Sequence, residues 1–206
     1  MSGRKSLKQS ILFPDVSKTS STSKISNTLN VLQGLDRAEV EPLAFKVLSV
    51  IQPLCVKSEV AGSSRRGRAL INDLDIVVQP RPLPGCWLQL LKNVKDEFDA
   101  VTEKQGNKLA TLYLPFKSTK QGFGHVQVDF YRAEAGAWGI LLLVRTGSKE
   151  HNMKLCNLAI KKGLSLQYSV GLTDKSGRVV AGRSEEEVFQ ALGLAYVEPK
   201  DREVTI

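Results

Sequence analysis

The chain has 206 residues, 42% of them hydrophobic, with 29 Lys and Arg against 21 Asp and Glu, a net charge of +8 and a pI near 9.4. That is apolar material for one sizeable domain or two packed subdomains, with no stretch that reads as a membrane-spanning helix or a signal peptide. Cys55, Cys86 and Cys156 lack paired spacing, which excludes a disulfide framework or a zinc site and points to reduced thiols in a soluble intracellular protein, of cytoplasm, nucleoid or nucleus.

Residues 1–33 are rich in Ser and Thr and carry Arg4, Lys5, Lys8, Lys18 and Lys24 against the single acid Asp15. Such a composition predicts a flexible basic arm, either an inert leader or a tether that holds DNA through its phosphates. From Leu35 to Ile51, Val40, Leu43, Ala44, Val47, Leu48 and Ile51 recur at helical spacing. Asp36 with Glu39 has the form of a capping box, although Pro42 then falls inside the helix, and a start near Pro42 fits equally. A strand over 58–61 follows.

After Val78 the prolines at 80, 82 and 84 break regularity, and Trp87–Phe98 reads as a helix with Leu88, Leu91 and Val94 inward. Residues 98–103 and 108–116 read as a hairpin across Gly106-Asn107, and 117–124 as a loop. His125–Tyr131 alternates, with Val126, Val128 and Phe130 on one face and Gln127, Asp129 and Tyr131 on the other. Residues 135–146 predict a short apolar helix, broken at Thr146-Gly147-Ser148. A second helix over 149–162, ending at Gly163, carries Met153, Cys156 and Ile160 on one face and Lys154 and Lys161 on another. His151 and Asn152 stand near its start, where exposed N–H groups favour an anion. Strands near 165–170 and 178–180 and a helix capped by Ser184, with Val188, Phe189 and Leu192 inward, complete the pattern.

The stretch AGSSRRGRALINDLDIVVQP, residues 61–80, carries the chemistry. Strand residues alternate faces, so Asp73 and Asp75 point one way while Leu74 and Ile76 point into a core. Two carboxylates side by side repel, and a divalent cation between them relieves that. Mg²⁺ favours a few carboxylates plus phosphate oxygens, and Gly62-Ser63 with Arg65-Arg66-Gly67 offers N–H groups, a hydroxyl and fixed positive charge for phosphate. Taken alone, Asp-x-Asp is a common solvated strand end and Arg-Arg-Gly a common surface turn. Within one short unit they read as a metal–triphosphate site.

Gly62-Ser63-x-Arg65-Arg66-Gly67 followed by Asp73-Leu74-Asp75 resembles the nucleotidyltransferase signature of the family X DNA polymerases, the polymerase beta type. Val128-Asp129-Phe130, Thr146-Gly147-Ser148, Asn152, Lys162-Gly163 and Tyr196-x-Glu198-Pro199-Lys200-Asp201-Arg202 follow in that family's order. The resemblance implies an α+β fold: a nucleotidyltransferase palm with a mixed sheet over 34–133, and a C-terminal helical and small-sheet subdomain over 134–206 that binds nucleotide and template. It implies a monomeric DNA polymerase that extends a primer 3′-hydroxyl from dNTPs on gapped or primed DNA, as in short gap-filling repair. Two Mg²⁺ ions, replaceable by Mn²⁺, would be held by Asp73, Asp75 and Asp129. Gly62, Ser63, Arg66, Asn72, Gly147 and Asn152 would bind the nucleotide, Val144 and Arg145 would form the sugar gate, and Lys149 and Cys156 would meet the template base.

The chain also departs from that pattern. No segment resembles the family's N-terminal lyase and helix-hairpin-helix domains, so a reduced form is expected. Val144-Arg145 stands where relatives carry two aromatic residues, Cys156 where they carry an arginine, and Lys149 where they carry an acid. The first signature alone also fits a template-independent, RNA or small-molecule nucleotidyltransferase, and a silent DNA-end-binding module is the remaining alternative.

Overall fold

The computed structural model describes residues 28–203. Most of the expected basic arm, residues 1–27, lies outside them. The rest of that segment is packed: Asn30 and Leu32 exchange backbone hydrogen bonds with His125 (His125 N–H to Asn30 O, 2.8 Å; Leu32 N–H to His125 O, 2.9 Å), and Leu32 is buried in the core. The folded chain thus begins before the boundary at 33.

The elements in order are β1 (Leu35–Asp36), α1 (Arg37–Ile51), β2 (Cys55–Val60), the single turn α2 (Gly62–Arg65), β3 (Leu70–Ile71), β4 (Asp73–Pro80), α3 (Cys86–Phe98), β5 (Val101–Gln105), β6 (Leu109–Ser118) and β7 (Gly122–Arg132). Then come α4 (Trp138–Thr146), α5 (Lys149–Lys161), β8 (Ser165–Gln167), β9 (Gly171–Thr173), β10 (Val179–Ala181) and α6 (Glu185–Ala191). Strands β2-β4-β7-β6-β5 form one mixed sheet, in which β4 and β7 are parallel and the other pairs antiparallel. The small sheet β10-β9-β8 belongs to the C-terminal half. This is the expected α+β architecture, a mixed sheet followed by a helical and small-sheet half.

Alternation along the two parallel strands decides what each face of the sheet does. Leu74, Ile76 and Val78 of β4, with Val126, Val128 and Phe130 of β7, pack against α1 and α3 in the larger core. The opposite face carries Asp73, Asp75 and Asp129, and beyond them Val77 and Tyr131, which pack with Ala61, Trp138, Leu141 and Leu142. Helix α4 therefore serves two cores, because its Ile140 and Leu143 face the C-terminal cluster with Leu155, Val188 and Phe189.

Several local expectations are corrected. The Asp36 carboxylate caps α1 by accepting from Ala38 N–H at 3.1 Å, but Glu39 closes no capping box: its carboxylate accepts from Ser118 Oγ at 3.0 Å and from Thr119 N–H at 3.2 Å. Leu88 is 53% exposed, and Trp87 and Leu90 take the inward positions with Leu91 and Val94, Trp87 Nε1–H donating to Gly106 O at 2.8 Å. Residues 117–124 are the end of one β-hairpin rather than a loop, paired from Lys117 against Phe123 to Ser118 against Gly122. On α5 the buried side is His151, Asn152, Leu155, Cys156 and Ala159, with Met153 and Ile160 half out in solvent.

Palm and C-terminal half are joined by one buried carboxylate. Glu185 receives both terminal nitrogens of Arg65 at 2.9 Å each, Arg202 Nη1 at 2.7 Å and the Tyr196 hydroxyl at 3.1 Å. Arg202 also donates from Nε to Val197 O at 3.0 Å, and Arg65 Nε meets Glu59 at 2.8 Å. Burial pushes the Glu185 carboxyl up, but the hydrogen bonds and charges of Arg65 and Arg202 outweigh it and hold it below the usual range. Removing one member of a buried ion pair leaves the others uncompensated. Glu185→Ala is expected to lower unfolding stability by roughly 3–5 kcal/mol in urea titration. An unchanged midpoint would show that water replaces the carboxylate at no net loss.

Candidate active site

The parallel register of β4 and β7 sets Asp75 directly beside Asp129, with Asp73 beside Gln127. Neighbouring strands run roughly 4.8 Å apart. Carboxylate oxygens of Asp73, Asp75 and Asp129 accordingly lie within 4.8 Å of one another. Asp129 is oriented from two sides: Thr111 Oγ donates to its Oδ1 at 2.5 Å and Gln127 Nε2 to its Oδ2 at 3.0 Å. Thr111 is the register partner of Asp129 on β6. The Arg145 guanidinium lies 3.9 Å above the Tyr131 ring centre.

The charges are not balanced within the protein. Among the described residues, no ion pair involves any of the three aspartates. Burial, then the charges of Asp73 and Asp129, pushes the Asp75 carboxyl up to about 8, with Tyr131 and Arg145 opposing. Burial and the charge of Asp129 raise Asp73. Burial raises Asp129 against its two hydrogen bonds. Three oxygen donors whose mutual repulsion is only partly offset by Arg145 and Arg66 suit a hard divalent cation.

One wall of the cleft is built by α2. Ala61 N–H donates to Asp75 O at 2.8 Å, drawing the turn against β4, and Gly62 takes φ of +60°. A Cβ on Gly62 would stand 1.9 Å from Asp75 Oδ2, so only glycine lets the turn approach the carboxylate this closely. Ser63 is half-buried on the same turn. Arg65 and Arg66 diverge: Arg65 enters the buried network under α6, whereas Arg66 reaches across the cleft, Nη1 donating to the Thr146 carbonyl and Nε meeting Glu203 at 2.6 Å.

The other expected site residues divide. Gly147, at φ +72°, caps α4 and is joined to Ser148 by a cis peptide. Asn152 donates from Nδ2 to Val144 O at 2.8 Å, and its buried Oδ1 has no partner. Asn72 Oδ1 accepts from Gly34 N–H at 2.9 Å, tying down the chain entry. Lys149 is exposed at the start of α5. Cys156 is 5% exposed and packed in the C-terminal core, so its thiol does not face a template. His151 is equally enclosed against Phe189 rather than open to an anion; burial and then the charge of Arg202 lower its pKa to about 4. Sequence reasoning assigned no role to Thr111, Gln127, Tyr131, Glu185 or Glu203. Only Gln127 and Tyr131, each two residues from Asp129 and on its face, left a readable signal.

Residues 141–203 match the family described as DNA polymerase beta thumb. The chain is 27% identical over 187 residues to DNA polymerase lambda of Rattus norvegicus, an alignment covering 82% of this chain and 32% of that protein. It is 27% identical over 188 residues to the DNA polymerase/3'-5' exonuclease PolX of Bacillus subtilis (strain 168), covering 84% of this chain and 31% of that one. The chain thus spans about a third of the length of these curated relatives.

The raised carboxylates make metal-free stability depend on pH. An acid whose folded pKa lies above its unfolded value keeps in the native state a proton that the unfolded chain releases, so stability falls as pH rises toward the folded pKa. Neutral His151 contributes the opposite slope, but only below its ordinary value of 6.5. From about pH 6.5 to about pH 8, the Tm in chelator is therefore expected to fall, and Mg²⁺ to raise it most at the upper end. Asp75→Asn should flatten the trend; an equal slope in that variant would assign it to other groups.

Proposed function

We propose that this chain, a member of the family X DNA polymerases over part of a relative's length, transfers a nucleotidyl group from a dNTP to a primer 3′-hydroxyl, filling short gaps in DNA. The reading is carried by the convergence of Asp73, Asp75 and Asp129 beside the 62–67 turn. The set of hard oxygen donors fits two Mg²⁺ ions, or Mn²⁺, which Asp73, Asp75 and Asp129 would hold. Bound ions would supply charge neutralisation and stabilise the attacking and leaving oxygens of an in-line displacement.

The chain's own residues do the rest. Asp129 is aimed by Thr111 and Gln127, and its carboxylate would accept the primer hydroxyl proton. The hydroxyl oxygen then attacks the α-phosphorus, and pyrophosphate leaves. Gly62, Ser63 and Arg66 face the triphosphate with an N–H, a hydroxyl and a guanidinium, charge placed before the reaction begins. Gly147 and Asn152 would line the sugar and base. Asn72 would act from the base of the turn and Lys149 from the template side. Val144 and Arg145 would border the ribose, Arg145 lying folded onto Tyr131.

Asp73→Asn, Asp75→Asn and Asp129→Asn should each abolish Mg²⁺-dependent primer extension, by about 10³-fold or more, without loss of folding. The assay is extension of a labelled primer on a one-nucleotide gap, with and without template strand. A folded Asp129→Asn protein that still extends the primer removes Asp129 from the reaction, and wild-type extension that ignores the template overturns the gap-filling reading.

A further inference from the structure

We infer that Glu203 is a built-in competitor for the nucleotide's phosphate, its carboxylate occupying the edge of Arg66 that a triphosphate would take. The inference rests on the reading of Arg66 as a triphosphate ligand. Glu203 Oε1 lies 2.6 Å from Arg66 Nε and 3.8 Å from Arg68 Nε, so one carboxylate oxygen sits between two guanidinium groups of the 62–68 turn. The other end of the Arg66 guanidinium is fixed: Nη1 donates to the Thr146 carbonyl. A Cβ at Gly147 would stand 3.1 Å from that nitrogen, so the absence of a side chain there lets Arg66 lie against the turn.

A guanidinium presents the same planar fork to a carboxylate and to a phosphate, so Glu203 and a phosphate oxygen are interchangeable partners. They differ in how firmly each is held. The Thr146 carbonyl is backbone of a fully buried residue and cannot leave. Glu203, with 28% of its side chain exposed, follows the buried Arg202, and it can swing away while the Arg202–Glu185 anchor stays in place. Incoming phosphate thus replaces one anion on Arg66 by another, and part of its electrostatic gain goes into displacing Glu203. A highly charged polyphosphate can meet that cost, whereas a singly or doubly charged phosphate gains little. The device favours triphosphates over monophosphates and keeps Arg66 paired and extended across the cleft until one arrives.

Titration calorimetry with magnesium tripolyphosphate tests this on the full chain, using wild type, Glu203→Gln, Arg66→Ala and the double variant. Glu203→Gln should bind about fivefold more tightly, equivalent to about 1 kcal/mol, with a larger change for orthophosphate, since the variant loses the preference for the polyphosphate. The gain should vanish in the Arg66→Ala background, because Glu203 acts through that guanidinium. Unchanged or weaker binding by Glu203→Gln would overturn the inference and make Glu203 a support that presents Arg66. An equal gain in the Arg66→Ala background would overturn it in favour of a general charge effect. Primer extension by the wild type reports on the transfer reaction separately: tripolyphosphate binding that responds to Glu203 without any extension would remove the polymerase reading and leave the competition intact.

Discussion

The repulsion among three carboxylates gathered on one face of the sheet is the constraint to which the rest of the structure answers. It arises from a backbone property, the parallel register that sets Asp75 against Asp129, and no side-chain adjustment can undo it. The opposite face of the same strands is filled by Leu74, Ile76, Val128 and Phe130, all fully buried under α1 and α3. Burying each such side chain contributes roughly 1.5–3 kcal/mol, which is how a register that crowds charge can be held at all. A slip of one residue would turn the aspartates inward and expose the core, so the packing that stabilises the palm is also what enforces the site.

Two consecutive arginines link that site to the C-terminal half in different ways. Arg65 is spent on structure, between Glu59 and Glu185, and also donates to the Thr146 hydroxyl at 2.8 Å. Arg66 stays in the cleft, yet its anchor is the carbonyl of that same Thr146. Thr146 ends α4, the helix shared by the palm-side and C-terminal cores. Any displacement of α4 relative to the sheet therefore moves the support of the cleft arginine together with the structural one. The support of the cleft arginine and the setting of the two halves are mechanically one system.

The sequence made local periodicity and the face of each aspartate legible, because alternation is a property of a few adjacent residues. The shared face of Asp73 and Asp75, the Ser184 cap and the inward Val188 and Phe189 could all be read that way. Partnerships across long separations left no trace. Arg65 finds Glu185 across 120 residues, Glu39 finds Ser118 across 79, and Thr111 meets Asp129 only through strand register. The errors have the same origin. Leu88 and Trp87 compete for one inward position on α3, and the tie is settled by a hydrogen-bond acceptor at Gly106, beyond the end of that helix. Residues 117–124 look like a loop by composition, but the segment that pairs with the hairpin base comes from positions 30–32.

Arg145 shows how a residue read from its neighbours in sequence acquires a second role from its neighbours in space. Beside Val144 and before Thr146-Gly147, it looked like part of a sugar gate. In the fold its guanidinium covers Tyr131, with Tyr168 on a further side at 5.6 Å, and it reaches the face of the sheet that bears the aspartates. Its charge pulls the pKa values of Asp75 and Asp129 downward against the burial that raises them. An aromatic residue at 145 could stack on Tyr131 but would leave all the repulsion to be met by bound cations. A lysine would bring the charge without the planar stack that holds it over the ring. Arginine alone combines both, so the departure at 145 is consistent with a site that keeps part of its counter-charge covalently attached.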